Sequence, residues 1–347
     1  MIWIRADANR EIGSGHVMRC LSIAAALKLR GEEVCFLVAD ESAGVFLEQR
    51  GVDYKILGTA YDRMEEELEL ITGLLVKEKP DWLLIDSYFV TQRYLMQLRP
   101  YVKTAYLDEF LAFSYPVDVV INYNIYGVCL PYREQAAHGQ QVFLLGTEYA
   151  PLREQFKDAD YTVRKKVEHV LVTTGGSDKY NLAGLILEEV LGHPGVGKLQ
   201  YHVVSGALNA NYHALEELAQ VHENVRLYQN ISDMAGLMKQ CDIAIAAGGS
   251  TMYELSAVGV PTLCFAFVDN QEKIVDTFYQ KGYVVYGGNY IKEKENFAAN
   301  VAASLEELAG SEEMRRQFSE KMRRLVDGQG ADRIAEALLQ MYRSEQL

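Results

Sequence analysis

Short apolar runs alternate with amphipathic stretches from one end of this chain to the other, and that rhythm leaves few folds open. Ile2–Arg5, Val34–Val38, Asp53–Leu57, Trp82–Ile85, Thr104–Leu107 and Val117–Ile121 are short and rich in β-branched or aromatic residues, so they read as strands. Between the first two, Val17, Cys20, Leu21, Ala24 and Leu27 follow the i, i+3, i+4, i+7 spacing of a buried helix face, and Gly31 supplies a stop. A second series begins near His169. Val170–Thr173, Gln200–Val204, Val225–Tyr228, Ile243–Ala246 and Thr262–Phe265 read as strands, with helical stretches such as Leu182–Val190 and Met252–Val258 between them. Strands separated by helices form right-handed βαβ units and parallel sheets, which makes this an α/β chain.

A length of 347 residues predicts two such domains. We expect them at 1–150 and 151–347, because periodicity lapses and charge rises across Glu148–Tyr161. The stretch from Glu312 to Leu347 is helical in composition and should close the second domain. A net charge of −14 argues against a nucleic-acid partner, since phosphate backbones select basic patches. It leaves room for an anionic ligand held by backbone N–H groups. Cys20, Cys35, Cys129, Cys241 and Cys264 are odd in number and widely spaced, the pattern of reduced thiols and not of a disulfide framework or zinc site. No apolar run approaches the ~18 residues that span a bilayer. The start, Met1–Ala6, lacks the basic region and long apolar run of a signal peptide. The expected location is therefore the cytoplasm.

The most informative segment is Arg5–His16, which ends in Ile12-Gly13-Ser14-Gly15-His16 between a strand and a helix. Two glycines allow a tight turn and close approach of a ligand, and they leave the helix N-terminus open. His16 falls in the first helical turn, on the edge of the sheet where open α/β folds bind ligands. A histidine at a helix start can be a structural cap. Here the flanking glycines and the strand end favour a general base. Arg5, Asp7 and Gly15 are counted among the ligand contacts. The third glycine of a dinucleotide fingerprint is absent, and Met18 stands in its region, so no NAD site is read.

Two further turns join strands to helices: Thr173-Thr174-Gly175-Gly176-Ser177-Asp178 and Ala246-Ala247-Gly248-Gly249-Ser250-Thr251. Consecutive N–H groups at a helix start hold diphosphates without a metal, so Gly176, Ser177, Gly249, Ser250 and Thr251 are expected contacts. Gly-Gly-Ser also occurs in plain βα loops; it is the pair that carries weight. Glu254 lies one helical turn beyond Ser250 and can grip a ribose diol, or can simply complement a helix N-terminus. Asn270 and Gln271 suit sugar hydroxyls and acetamido groups, or can form an ordinary N-cap. In Asp86-Ser87-Tyr88, Tyr88 can orient a phosphate or a water, or pack on a loop. The acidic pair Asp108-Glu109 ends the next strand and either helps the site or is solvated.

Four stretches together carry a family resemblance: Arg5–Arg19, Leu144–Phe156 (LLGTEYAPLREQF), Thr174–Leu182 (TGGSDKYNL) and Ala247–Gln271. With them the chain resembles the UDP-2,4-diacetamido-2,4,6-trideoxy-β-L-altropyranose hydrolases of pseudaminic acid biosynthesis, a group that takes in spore-coat polysaccharide proteins. The last stretch also resembles the transferase that adds N-acetylglucosamine to the peptidoglycan lipid intermediate, so it marks a superfamily. The resemblance implies a GT-B fold, two Rossmann-like doubly wound domains facing a central cleft. It implies attack of water at the anomeric carbon with inversion, releasing UDP and a free sugar, with no metal or other cofactor. It makes His16 the base, with Tyr88 near it. Gly249, Ser250 and Glu254 hold the nucleotide, and Asn270 and Gln271 contact the sugar. The family's usual Asp-Asp pair is Asp108-Glu109 here, and Phe110–Pro116 also departs from its pattern. The expected partner is a UDP-sugar, with no nucleic acid and no stable membrane insertion, and a monomer is compatible with the sequence. Two alternatives stay open: an inverting glycosyltransferase using a UDP-sugar donor and a saccharide or lipid acceptor, and a non-catalytic sugar-nucleotide binding protein.

Overall fold

The computed structural model describes residues 1–344 except 207, 208 and 230. The chain divides into two compact units, Met1–Arg153 with Gln329–Leu347, and Glu154–Gly328.

The first unit runs β1 (Ile2–Ala6), α1 (Gly15–Leu29), β2 (Val34–Val38), α2 (Gly44–Glu48), β3 (Asp53–Ile56), α3 (Leu68–Glu78), β4 (Trp82–Asp86), α4 (Gln92–Leu98), β5 (Lys103–Leu107), β6 (Val119–Asn122) and β7 (Val142–Leu145). All pairings are parallel, in the order β3-β2-β1-β4-β5-β6-β7. The sequence explains the positions. β1 and β4, at the centre, are buried along their whole length, as strands covered on both faces must be. β3, at the edge, is Asp-Tyr-Lys-Ile and half exposed.

The second unit runs β8 (His169–Thr173), α5 (Leu182–Gly192), β9 (Gln200–Ser205), α6 (Tyr212–Val221), β10 (Val225–Gln229), α7 (Met234–Gln240), β11 (Ile243–Ala247), α8 (Thr251–Val258), β12 (Thr262–Ala266), α9 (Asp269–Gln280), β13 (Val285–Asn289), α10 (Tyr290–Glu293), α11 (Phe297–Gly310) and α12 (Glu312–Leu325). Its sheet is also parallel, in the order β10-β9-β8-β11-β12-β13. Its core joins β-branched strand residues such as Val172 and Ile245 to Ile186 of α5 and Val301 of α11. Each unit is thus a Rossmann-like doubly wound layer, and the fold is GT-B. Among the described residues no helix is long and apolar enough to cross a membrane.

Two strands escape the sequence reading. β7 lies in the motif-rich LLGTEY segment, and β13 contains Gly287 and Gly288, which blur its strand character. The last helix, α13 (Gly330–Ser344), differs from the expected division. It packs on α1 and on the Thr147–Tyr149 turn, within the first unit. Ile334, Ala335 and Leu338 are buried along its apolar face, Arg30 pairs with Asp332 at 2.8 Å, and Arg333 donates to the Glu148 carbonyl. A side chain at Gly330 would overlap the Ala150 backbone, so glycine sets this close approach.

Candidate active site

In each unit the strand order reverses once: between β1 and β4, and between β8 and β11. Such switch points open a crevice at the carboxyl ends of the strands, because the flanking helices leave on opposite faces. The glycine-rich turns singled out from the sequence follow β1, β8 and β11, strands that flank these two places.

At the first, the turn after β1 is closed by its own hydrogen bonds. Asn9 Oδ1 accepts from the N–H groups of Glu11 and Ile12, and Asn9 and Gly13 exchange backbone bonds. Gly13 has φ +73°, a conformation that favours glycine. Gly15 is exposed, and a methyl on it would meet nothing within 4 Å, which leaves open room over the helix start. Ser14 makes no side-chain cap bond, so the first N–H groups of α1 are not sealed.

His16 follows, only 4% exposed. Its Nδ1 lies 2.6 Å from Asp86 Oδ1, at the end of β4. Arg19, one turn further along α1, donates from Nε and Nη2 to the two Asp86 oxygens at 2.6 and 2.5 Å. Burial pushes the Asp86 carboxyl up, but Arg19 and His16 outweigh it and hold the group well below the usual carboxylate range. Asp86 is therefore an acceptor, and the proton between it and His16 belongs to Nδ1. Arg19 Nη2 also stands 3.0 Å from Nδ1. Two donors do not bond each other, so that approach is a contact and the shorter carboxylate bond decides the tautomer. Nε2 is the ring nitrogen that does not bond to Asp86.

Arg19 Nη1 continues to Glu109 Oε1 at 2.6 Å and Tyr123 Oη at 2.8 Å. The other Glu109 oxygen accepts from Tyr88 Oη at 3.2 Å. The Tyr88 ring stands edge-on to His16, with centroids 4.5 Å apart. Desolvation and the Glu109 charge keep the Tyr88 phenol protonated far above its ordinary range, so it is a hydrogen-bonding group and not a base. The acidic pair splits its duties. Asp108 is buried and spent on the N–H groups of Phe110 and Leu111 and the hydroxyls of Tyr115 and Tyr132, while Glu109 joins the His16 cluster.

Arg5 and Asp7 are engaged within the first unit. The Arg5 side chain is 0% exposed, with Nε and Nη2 both 2.9 Å from the Glu67 oxygens and Nη1 2.5 Å from Asp7 Oδ2. Tyr94 completes the shell through Glu67, and the other Asp7 oxygen accepts from the Ala39 N–H. The Arg5 guanidinium is committed to Glu67 and Asp7 and helps to fix the ends of β1 and β2. Arg19, which the sequence reading left in the background, is the arginine at the site. Its signal was present: it lies three residues after His16, on the same helix face.

The second unit presents the other motifs. After β8, Asp178 is buried with φ +40° and accepts from the N–H groups of Leu182 and Ala183 at 2.7 and 3.1 Å. The start of α5 is thus already capped by the Asp178 side chain, which takes up two of its first N–H groups. A side chain at Gly206, after β9, would overlap the Gly176 backbone, so this turn is braced from below.

After β11, the Gly248 N–H is used by the Phe265 carbonyl and the Gly249 N–H by that of Ala247. Gly249 offers room, nothing lying within 4 Å of a methyl there, and the N–H groups of Ser250 and Thr251 head α8. Glu254 is half-buried one turn along. A side chain at Gly248 would overlap Val275 and stand 3.1 Å from the Gln271 carbonyl. This close approach brings the first turn of α9, with Asn270 and Gln271, beside the Ser250 turn. Gln271 Oε1 also accepts from the Phe267 N–H at 3.2 Å, which fixes its side chain.

Comparison with known proteins bears on the family resemblance and the fold. Residues 169–329 match the glycosyltransferase family 28 C-terminal domain. The chain is 28% identical to the spore coat polysaccharide biosynthesis protein SpsG of Bacillus subtilis, over 99% of both chains. It is 26% identical to the UDP-2,4-diacetamido-2,4,6-trideoxy-β-L-altropyranose hydrolase of Campylobacter jejuni, over 82% of this chain and 98% of that protein. Among solved structures, Acinetobacter baumannii MurG superposes with a TM-score of 0.67 at 12% identity, covering 98% and 99% of the two chains. These relatives bear out the resemblance read from the sequence, and the structural likeness bears out the GT-B fold.

Proposed function

We propose that this chain is a nucleotide-sugar enzyme that hydrolyses a UDP-linked 2,4-diacetamido-2,4,6-trideoxy sugar at its anomeric carbon. The products are UDP and the free sugar, with inversion, in pseudaminic acid or related nonulosonate and surface-polysaccharide synthesis. The observation that carries this reading is the His16–Asp86 pair at the switch point of the first sheet. An ionised carboxylate on Nδ1 leaves Nε2 as a general base, the requirement for activating water at neutral pH. Ser250 and Thr251 at the head of α8, with the Gly176–Ser177 turn, bind the diphosphate; Glu254 holds the ribose; Asn270 and Gln271 meet the sugar. The similarity to the Campylobacter hydrolase supports the substrate class.

The match of residues 169–329 to a glycosyltransferase domain favours a second reading, an inverting transferase with a UDP-sugar donor and a saccharide or lipid acceptor. The two separate in one assay. The chain is incubated with candidate UDP-sugars and no acceptor, and UDP is measured. Release at enzymatic rates supports the hydrolase; release only when an acceptor is added supports the transferase.

A further inference from the structure

The turn after β5 is fastened at three successive residues. Asp108 Oδ1 accepts from the Phe110 N–H at 3.1 Å, and Oδ2 accepts from the Leu111 N–H at 2.7 Å. Tyr115 Oη accepts from the Ala112 N–H at 2.9 Å and donates to Asp108 Oδ1 at 2.8 Å. Asp108 and Tyr115 are themselves buried. Within this turn Leu111 has φ +52°, a left-handed conformation that a leucine holds only when its surroundings enforce it. What the turn carries is Phe110, a phenylalanine left 49% exposed.

Phe110 is not isolated. Its ring lies 5.7 Å from that of Tyr88, which stands edge-on to His16 at 4.5 Å. Phe89 follows Tyr88, is also exposed, and meets the Tyr61 ring at 5.5 Å. Tyr61 donates to Glu11 of the glycine turn. Half-exposed rings therefore border His16 on the carboxyl edge of the first sheet. Aromatic surface left in water beside a polar site is characteristic of a ligand-binding wall.

We propose that Phe110 is a specificity-determining residue whose ring covers a methyl group of the sugar. The proposal rests on the hydrolase reading above and deepens it. A 2,4-diacetamido-2,4,6-trideoxy sugar carries one methyl at C6 and one on each acetamido group. A methyl laid on the ring removes apolar surface of both partners from water. A hydroxyl in its place gains nothing from the turn, because the N–H groups of Phe110, Leu111 and Ala112 are already committed, and it loses water. Phe110 touches no reacting atom; it selects among sugars.

The test compares substrates. UDP release without an acceptor gives kcat/KM for the parent UDP-sugar, for its 6-hydroxy analogue, and for analogues with formamido in place of acetamido at C2 or C4. The unmodified chain should prefer the parent over at least one analogue, and that arm identifies the methyl. Phe110→Ser should shrink this preference by about tenfold, the lower end of what one methyl is worth in an apolar site. Phe110→Tyr keeps the ring and should keep the preference. Each preference is a ratio measured on one sample, so the folded fraction cancels. A preference that is unchanged in Phe110→Ser in every arm overturns the inference, even if all rates fall together. So does an unmodified chain that treats the four substrates alike. Failure of the unmodified chain to release UDP from any of them without an acceptor removes the hydrolase reading instead.

Discussion

Nδ1 of His16 lies 2.6 Å from Oδ1 of Asp86, a bond that ties the first turn of α1 to the end of β4. It sets which ring nitrogen accepts a proton. His16→Ala should lower kcat by about 10²–10⁴-fold, the contribution of a general base, with KM nearly unchanged. Asp86→Asn should fall in the same range, because an amide can donate to Nδ1 and so place the ring proton on Nε2. It should also destabilise the fold by roughly 3–5 kcal/mol, since Arg19 loses a buried partner. Steady-state kinetics at low temperature and thermal melts separate the two effects. Full activity in Asp86→Asn would show that the carboxylate is only structural.

Glu254 is assigned to the ribose. Glu254→Ala should weaken UDP binding by about 1–3 kcal/mol, the range for a lost hydrogen bond to a charged group. Titration calorimetry checks this, and an unchanged affinity would return Glu254 to the role of a helix-end charge.

Two glycines brace the turns proposed to hold the diphosphate. Gly206→Ala would push against the Gly176 backbone, and Gly248→Ala against Val275. Each should weaken UDP by about tenfold or more, the equivalent of one charge-assisted bond lost. Gly249→Ala would meet no protein atom, so its effect on UDP reads only the room a ligand needs. A loss of affinity confined to Gly249→Ala would contradict the bracing.

These glycines mark what was legible beforehand. The sequence named the turns and their places at strand ends, because periodicity and Gly-Ser spacing are local signals. It did not say that Gly248 exists for the approach of α9, or that Asp178 caps α5, since both depend on neighbours distant in the chain. Arg5 and Arg19 show the same limit. Both flank the glycine turn and both are buried, and only the long-range partners tell that one is locked to Glu67 while the other reaches Asp86. The apolar face of α13 was readable as well, but a helix face names no partner.

Acid should act on stability in two windows. His202 is buried between His169 and Tyr228, 3.0 Å from each, and burial with the nearby His169 lowers its pKa to about 4. Unfolding restores a value near 6.5, so the unfolded chain binds the extra proton, and stability drops as pH falls from about 6.5 to 4. Asp86 is held below its unfolded value near 3.9, so its contribution is present above that pH and is lost on further acidification. Denaturant melts across pH should show both slopes, and His202→Gln should flatten the upper one alone. An upper slope that survives His202→Gln would assign it to other groups.

If backbone turns and helix starts replace a divalent ion at the diphosphate, activity should survive EDTA. Complete loss on chelation, restored by magnesium, would contradict that part of the account.

The central claim is that water, activated at His16, attacks the sugar carbon. Turnover of the UDP-sugar in H₂¹⁸O without an acceptor, followed by mass spectrometry of both products, tests it directly. The account predicts the label in the free sugar and none in UDP. Label in the UDP phosphate would mean attack at phosphorus, and would contradict the mechanism even if His16 proved essential.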